Sequence, residues 1–316
     1  MNVVFMGTSS FAVPSLERLC TSTHGVLAVV TQPDRPRGRG RRISPSPVKQ
    51  TALAYGLPVL QPQRARDPAF LAELKAIAPD IIVVVAYGQL LPPKLLALPP
   101  KGCVNVHASL LPKYRGAAPV NWALIHGERV TGVTIMLMDE SLDTGPILLQ
   151  VAQDIDPADN AQTLQDRLAR LGAETLLEAL AGLASGTLKP VPQEHERATY
   201  APKLRKEDGY VRWQHSAVDI ANLIRGVTPW PGALTTHVGK PLRLWRAMAM
   251  GAEAQEAPGT VAQIDRQGVW VATSDGYVVL QEVQPPGKRR MDAGAYARGH
   301  GLRVGDVLGH ADADHA

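Results

Sequence analysis

The sequence predicts an α/β fold, in which a twisted, mostly parallel Rossmann-like sheet carries helices on both faces and a small C-terminal β-barrel (OB-like) domain follows. Two observations predict it. Short apolar runs alternate with helical segments in the first part of the chain, and after a proline-rich stretch the pattern changes to short β-like runs separated by turns. A third observation, an amide and an imidazole two residues apart at the end of one apolar run, indicates a functional site in this sheet.

The first domain alternates between two hydrophobic periods. Uninterrupted apolar runs predict buried strands at residues 2–6, 25–31, 81–86, 102–107 and 132–138. Apolar spacings of three and four residues predict helices at residues 11–19, 69–77, 119–126 and 163–183. Such alternation favours parallel strands joined by right-handed crossovers. Ligands bind beyond the carboxyl ends of such strands, so we expect the ends of the last three predicted strands to share one edge.

The composition changes after the long helix at 163–183. The segment 187–206 is rich in proline and charge and has no periodicity, which is typical of an interdomain linker. We therefore expect a catalytic domain at residues 1–189, a linker at 190–206 and a β-barrel domain at 207–316. Short β-like runs in the last domain occur at residues 241–245, 260–264, 268–273 and 276–283.

Composition excludes several classes of protein. Of 316 residues, 45% are hydrophobic and 20% are charged, which is ordinary for a globular protein. The two cysteines, Cys20 and Cys103, lie in apolar surroundings, so we expect no disulfide framework and a cytoplasmic location. No apolar run is long enough for a membrane span or signal peptide, and no spacing of histidine and cysteine predicts a metal site. The turn at residues 7–11 does not match the dinucleotide-binding pattern.

The net charge of +4 is concentrated in one segment. Between Gln32 and Gln50 lie six basic residues and one acid, Asp34, so this segment carries 6 − 1 = +5. The basic residues are Arg35, Arg37, Arg39, Arg41, Arg42 and Lys49. Interleaved glycines and prolines disfavour a helix, and a phosphate backbone is the natural partner of such a segment. The alternative is a solvated surface loop, but the charge density favours a polyanion.

The most informative motif is Asn105-Val106-His107 at the end of an apolar run, followed by Ser109-Leu110-Leu111-Pro112. Side chains two residues apart on a strand project to the same face. An amide that donates to a developing oxyanion, beside an imidazole that moves a proton, suits acyl-type transfer. The alternative is a pair of hydrogen-bonded structural polar residues. We expect the apolar Leu-Leu-Pro loop to border the same cavity.

The polar loop at residues 138–146 is the second informative stretch. It leaves an apolar strand and carries three carboxylates, those of Asp139, Glu140 and Asp143. A carboxylate delivered from this loop could orient the His107 imidazole or accept a proton. The alternative is that Asp139 and Asp143 only cap turns, and the loop by itself leaves both interpretations open.

Together these motifs resemble the folate-dependent formyltransferases. The match consists of Asn-x-His, Ser-Leu-Leu-Pro and an aspartate thirty-six residues beyond the histidine (143 − 107 = 36), within Leu-Asp-Thr-Gly. The resemblance implies that Asn105, His107 and Asp143 form the catalytic constellation and that 10-formyltetrahydrofolate is the co-substrate. We assign the following residues to the folate site: Ser109, Leu110, Leu111, Pro112, Ala86, Tyr87, Gly88 and Asp139.

Three further features resemble the members of this family that act on initiator methionyl-tRNA. They are the arginine-rich segment, the run from Arg115 to Pro119, and the run from Thr199 to Leu204 at the linker. The resemblance covers nearly the whole chain and departs at Pro146-Ile147, where several relatives have Asp-Met or Asp-Ile. It implies formyl transfer to the α-amino group of the methionine. The implied tRNA contacts are Arg35, Arg37, Arg39, Arg41 and Arg42, and by position Arg39 matches the arginine that matters most in the family. Basic residues of the linker and barrel are further candidate phosphate contacts, namely Lys203, Lys206, Lys288 and Arg289.

Two other functions remain possible from the sequence. One is a formyltransferase whose acceptor is a small amine, such as glycinamide ribonucleotide or an amino sugar nucleotide. The arginine-rich segment and the barrel argue against it, because a small acceptor needs neither. The other is a non-catalytic RNA-binding protein built on a decayed domain, and the intact Asn105, His107 and Asp143 argue against that. Nothing in the sequence predicts an obligate dimer, and we expect a monomer.

Overall fold

The computed structural model describes residues 1–37 and 42–309. The strands, numbered in chain order, are β1 (Asn2–Gly7), β2 (Gly25–Val30), β3 (Arg35–Arg37), β4 (Arg42–Ser44), β5 (Val59–Leu60), β6 (Ile81–Val85), β7 (Cys103–His107), β8 (Arg115–Gly116), β9 (Val130–Leu137), β10 (Ile147–Asp154), β11 (Tyr200–Ala201), β12 (Ala233–His237), β13 (Lys240–Met250), β14 (Val261–Ile264), β15 (Val269–Ala272), β16 (Tyr277–Gln284) and β17 (Met291–Asp292). The α-helices are α1 (Val13–Cys20), α2 (Pro47–Ala54), α3 (Pro68–Ile77), α4 (Pro93–Leu96), α5 (Pro119–Ile125), α6 (Ala161–Ser185), α7 (Ala217–Gly226) and α8 (Ala293–His300).

The first compact unit, residues 1–116, 130–154 and 165–201, is built on a central sheet. The strand order is β10-β9-β7-β6-β1-β2-β5, and the five strands from β7 to β5 run parallel, which confirms the predicted sheet. All five side chains of β6 are buried. The strand order reverses between β1 and β6, and the loops after these strands meet where the Thr8 hydroxyl donates to the Tyr87 carbonyl (2.8 Å).

The direction of β9 corrects one expectation. β9 runs antiparallel to β7, and β10 runs antiparallel to β9. Met138 therefore lies at the amino end of β7, where its N–H donates to the Cys103 carbonyl (2.8 Å), and not at the carboxyl edge. The prediction was wrong because α5, which we expected to cross over the sheet, packs against α7 within the second unit.

The starts of four helices are determined by local sequence. A serine or aspartate precedes each of α2, α3, α7 and α8, and its side-chain oxygen accepts a first-turn N–H at 2.9–3.0 Å. These caps are Ser46, Asp67, Ser216 and Asp292. Three of these helices, α2, α7 and α8, were not predicted, and each is only eight to ten residues long.

The second compact unit comprises residues 117–129, 155–164 and 202–309 of the described chain. Its antiparallel sheet has the order β12-β13-β16-β15-β14, with β17 paired to β16, and it confirms the predicted barrel-like domain. Residues 307–309 bridge to Thr236 in β12 and to Thr260 before β14, but no continuous ladder closes the sheet within the described residues. The core contains the buried Trp213, whose indole N–H donates to the Thr235 hydroxyl (3.1 Å). The domain boundaries at 189 and 206 stay predictions.

Three features of the described ranges are relevant to the expected partners. No helix in residues 1–37 and 42–309 combines the length and apolar character needed to cross a membrane. In the same ranges, no group of three or more histidine, cysteine, aspartate or glutamate side chains is placed to hold a metal ion. Cys20 and Cys103 are both free thiols.

His237 is a buried titratable group in the second unit. Its Nδ1 lies 2.8 Å from the Tyr296 hydroxyl, and its Nε2 has no hydrogen-bond partner in the part of the chain that the structure describes. Burial lowers the pKa of His237 below its ordinary value of 6.5, Asp306 opposes this shift and His300 adds to it. The neutral imidazole is therefore the form that the folded unit favours.

We predict that acidification destabilises the second unit through His237. Because the pKa is lower in the folded state than in the unfolded state, the unfolded chain binds the proton first. The free energy of unfolding therefore falls as the pH drops through 6.5. His237→Gln should flatten this dependence between about pH 8 and about pH 5, whereas the exposed control His215→Gln should keep it. Urea unfolding at several pH values measures the free energy of unfolding of both variants. A pH dependence in His237→Gln equal to that of the wild type would contradict the prediction.

Candidate active site

The two polar residues of β7 lie in the interior of the sheet, between β6 and β9. Asn105 pairs with Val84 of β6 on one side and with Met136 of β9 on the other. The alternation along β7 directs the Asn105 and His107 side chains to the same face of the sheet, as the sequence predicts. His107 is 6% exposed and Asn105 is half-buried.

The hydrogen bond of His107 determines which ring nitrogen carries the proton. His107 Nε2 lies 2.9 Å from the Tyr114 carbonyl oxygen. A carbonyl oxygen only accepts, so Nε2 must be the protonated nitrogen. The other nitrogen, Nδ1, lies 3.7 Å from Asp143 Oδ2, which is longer than a direct hydrogen bond. Nδ1 is therefore the nitrogen that can gain or lose a proton, and it does so beside a carboxylate.

The loop between β9 and β10 brings Asp143 to this position. The loop starts beside Cys103 and folds back, and Asp143 Oδ2 accepts the Gly116 N–H (2.8 Å). Gly145 lets the loop pack this closely, because a Cβ there would lie 1.8 Å from the Leu137 carbonyl oxygen. The carboxylate is therefore oriented by the backbone of the protein itself.

Three of the five non-glycine residues with positive φ in the described ranges lie in the loops after β6, β7 and β9, and the other two are Ala78 and Val238. Ala86 (φ 45°), Tyr114 (φ 60°) and Asp143 (φ 54°) all occupy the left-handed region, although none is glycine. This conformation costs roughly 1–3 kcal/mol for each residue, and it persists only where the surroundings hold it. Such residues cluster at functional sites, which favours these loops as the site.

The loop after β7 is held from within. Ser109 is fully buried and its hydroxyl donates to the Lys113 carbonyl (2.6 Å). The Thr134 hydroxyl donates to the Ser109 carbonyl (2.6 Å) and accepts the Leu111 N–H (3.1 Å). Ser109 and Leu111 therefore give the loop its shape, while Leu110 and Pro112 are only partly buried. That this loop binds folate stays a prediction.

The loop after β6 presents backbone to solvent. Ala86 and Gly88 are exposed, whereas Tyr87 between them is buried. Burial raises the pKa of the Tyr87 hydroxyl to about 12, so the phenol stays neutral. Any ligand at this loop would therefore meet peptide groups rather than the Tyr87 side chain.

The structure gives Asp139 a local role. Its Oδ1 accepts the Ser141 N–H (3.1 Å) and the Thr144 hydroxyl (2.6 Å). This is the turn-capping alternative that the sequence left open for this residue. Its assignment to the folate site stays a prediction.

The flanks of the arginine-rich segment form a β-hairpin. β3 and β4 pair antiparallel, with Arg35 opposite Ser44 and Arg37 opposite Arg42. Arg35 is exposed, and Arg39 and Arg41 lie outside the described residues. The predicted contacts of the second unit are also exposed, namely Lys203, Lys206, Lys288 and Arg289.

Lys49, at the end of this basic segment, has partners within the protein. Lys49 Nζ contacts Asp34 Oδ2 (2.6 Å) and Gln61 Oε1 (2.7 Å), and the Gln61 amide donates to Asp34 Oδ1 (2.8 Å). This cluster fixes the base of the hairpin to the start of α2 and to the chain after β5. The Lys49 ammonium therefore binds groups of the protein that hold the hairpin in place, rather than an external anion.

Two residues near Asp143 were not predicted from the sequence. Arg115 is 3% exposed and its Nε donates to Gln193 Oε1 (3.1 Å), while the Gln193 amide donates to the Asp143 carbonyl (3.0 Å). Arg115 stands out in the sequence only as part of a family motif. Gln193 lies in the segment that we interpreted as a linker, where no periodicity pointed to burial.

Comparison with known proteins identifies both parts of the chain. Residues 1–180 match the family described as formyl transferase, and residues 203–301 match the formyl transferase C-terminal domain. The methionyl-tRNA formyltransferase of Trichlorobacter lovleyi is 49% identical over 306 residues, covering 97% of this chain and 96% of that protein.

Two solved structures share the fold at low sequence identity. HypX from Aquifex aeolicus, in complex with tetrahydrofolic acid, has a TM-score of 0.62 at 20% identity, and the match covers 96% of this chain but only 48% of that one. The N-formyltransferase from Helicobacter canadensis, in complex with folinic acid and dTDP-3-aminofucose, has a TM-score of 0.69 at 16% identity, covering 88% of this chain and 98% of that one.

Gly116 offers a test of the backbone that orients Asp143. It has φ +122°, and a Cβ there would lie 2.7 Å from the Ala201 carbonyl oxygen. We predict that Gly116→Ala lowers the free energy of unfolding by about 3 kcal/mol, because the cost of the backbone strain and the cost of the close contact with Ala201 add together. The control Gly56→Ala has φ +67° with open space around it and should cost about 1 kcal/mol. Denaturant unfolding compares them, and equal losses would show that the contact with Ala201 is unimportant.

Proposed function

This chain belongs to the methionyl-tRNA formyltransferases of the formyl transferase family, and we propose that it transfers the formyl group of 10-formyltetrahydrofolate to the α-amino group of methionine on initiator methionyl-tRNA. The product is N-formylmethionyl-tRNA, which serves translation initiation in the cytoplasm. The observation that carries the proposal is the buried His107 imidazole, with Nε2 committed to Tyr114 and Nδ1 facing Asp143. This arrangement suits a reaction in which a proton must move while charge develops on a carbonyl oxygen.

The reaction needs no nucleophile from the protein, because the amine of the substrate attacks the formyl carbon. Burial raises the pKa of the Cys103 thiol to about 12, so this thiol on β7 stays protonated and unreactive. The side chains near the reacting atoms then serve to stabilise charge and to move a proton. Asn105 and His107 supply those two functions.

In the proposed mechanism, attack by the amine converts the formyl carbonyl into a tetrahedral intermediate with a negative oxygen. The Asn105 amide donates to that oxygen, and His107 donates to it once Nδ1 has taken a proton. The attacking amine loses a proton and the leaving N10 of the folate gains one when the carbon–nitrogen bond breaks. His107 takes part in this transfer through Nδ1, because Nε2 already donates to the Tyr114 carbonyl. Asp143 stabilises the positive charge that His107 carries when both nitrogens are protonated.

Asn105 provides the sharpest test of the mechanism. We predict that Asn105→Ala lowers kcat by 10²–10³, or about 3–4 kcal/mol of transition-state stabilisation, because one oxyanion donor is lost. Thermal unfolding should match that of the wild-type enzyme, because Asn105 is only half-buried. A folded Asn105→Ala enzyme with near wild-type turnover would contradict this role.

The choice of acceptor is tested with purified protein and 10-formyltetrahydrofolate. Charged initiator methionyl-tRNA is compared with glycinamide ribonucleotide and an amino sugar nucleotide, and His107→Ala serves as the inactive control. Transfer only to the tRNA supports the proposal. Transfer only to a small acceptor would keep the active-site assignment and remove the proposed role of the arginine-rich hairpin. No transfer and no folate binding would favour an RNA-binding protein.

The hairpin is proposed to contact the phosphates of the tRNA, together with Lys203, Lys206, Lys288 and Arg289. We predict that replacing its five arginines with glutamine raises KM for the tRNA and leaves kcat nearly unchanged. The slope of log Kd against log salt should fall by about 0.7–0.9 for each phosphate that the variant no longer neutralises. Arg170→Gln, an exposed change on α6, is the control for the loss of one arginine elsewhere in the chain. An unaltered salt slope in the hairpin variant would exclude the hairpin as a phosphate-binding element.

A further inference from the structure

Gln193 occupies a position in which every hydrogen-bonding group of its side chain has a partner. Its Nε2 donates to the carbonyl oxygens of Asp143 (3.0 Å) and Gly145 (2.7 Å). Its Oε1 accepts from Nε (3.1 Å) and a terminal nitrogen (2.6 Å) of Arg115. A side-chain amide has two N–H donors and two acceptor sites, so these four bonds use its full capacity. The position therefore requires a group that donates twice and accepts twice.

Arg115 determines which way the amide faces. A guanidinium only donates, so Oε1 of Gln193 must face Arg115 and Nε2 must face the two carbonyls. Arg115 is 3% exposed, and a buried cation needs hydrogen-bond acceptors. A further acceptor is Nδ1 of His195, which lies 3.1 Å from a terminal nitrogen of Arg115. The orientation of Gln193 is thus fixed by a buried charge rather than by packing alone.

The loop that Gln193 holds is strained where Asp143 lies. Asp143 has φ 54°, and a non-glycine residue keeps this conformation only if its neighbours hold it there. Gln193 holds the backbone on both sides of Thr144, at Asp143 and at Gly145. The strand β8 supplies both supports, since Arg115 orients Gln193 and the Gly116 N–H binds the Asp143 carboxylate.

We propose that Gln193, oriented by Arg115, is a positioning residue that keeps the Asp143 carboxylate beside His107 during the reaction. The inference rests on the proposed formyl transfer. Gln193 acts through Asp143 and not through either substrate. Its loss therefore changes kcat and the pH profile of the reaction, while KM for folate and for tRNA stays near the wild-type value.

Two variants remove the hydrogen bonds from Gln193 to the Asp143 loop. One adds a negative charge beside Arg115, and the other removes the positive charge of Arg115. Gln193→Glu keeps the length of the side chain and pairs with Arg115, but it presents oxygens to the carbonyls of Asp143 and Gly145. The double variant Arg115→Met with Gln193→Met removes the buried charge together with its partner, so no unpaired cation is left. Both should fold, and both should lower kcat by about 10- to 100-fold, the size of effect that a misplaced catalytic group produces. In both, the pH profile of kcat should shift.

The control is Gln153→Glu on β10, which makes the same change of charge in the first unit, where the side chain donates to the Asp154 carbonyl (3.2 Å). It should leave kcat and the pH profile unchanged. If the two test variants are folded and keep wild-type kcat and pH profile while Asp143→Asn is inactive, Gln193 only fills space and the inference is overturned. A wild-type enzyme that transfers formyl to no acceptor would instead overturn the proposed function, and this inference with it.

Discussion

The hydrogen bond from the Gly116 N–H to the Asp143 carboxylate is the contact on which the arrangement around His107 depends. Asp143 lies on a loop that starts at the amino end of β7, whereas His107 lies at the carboxyl end. A contact is therefore needed that holds the Asp143 carboxylate where the loop returns to His107. β8 provides it, because Gly116 is held in the pairing of β8 with β11 and has no room for a side chain. The orientation of a side chain is thus determined by backbone pairing with a strand that lies much further along the chain.

Much of the sheet could be predicted because uninterrupted apolar runs of strand length are typical of buried strands. The five buried side chains of β6 and the apolar run before Asn105 have no plausible place except the interior of a sheet. Period-two alternation then places Asn105 and His107 on one face without any knowledge of the partner strands. The part of the site that lies on β7 is therefore visible in local sequence.

The rest of the site depends on contacts between distant segments, which local sequence does not encode. The antiparallel course of β9 follows from where α5 packs, and the sequence of α5 gives no indication of that. Asp143 was placed near His107 by resemblance to a family and not by any pattern of its own. Gln193 lies in a segment with no periodicity, and its burial follows only from the buried Arg115 that it binds.

The side chain at position 193 is a neutral amide rather than a carboxylate, and this affects the charge beside the Asp143 loop. A carboxylate would compensate Arg115 more strongly, but it would add a second negative charge beside the Asp143 loop and repel the carbonyl oxygens that Gln193 now binds. With glutamine, the positive charge of Arg115 has hydrogen-bond partners without being neutralised. The uncharged Gln193 amide instead holds the loop through its hydrogen bonds to the carbonyls of Asp143 and Gly145, and these bonds oppose the strain at φ 54°. Both hydrogen bonds of the Gln193 amide thus act on the one loop whose position the proposed chemistry requires.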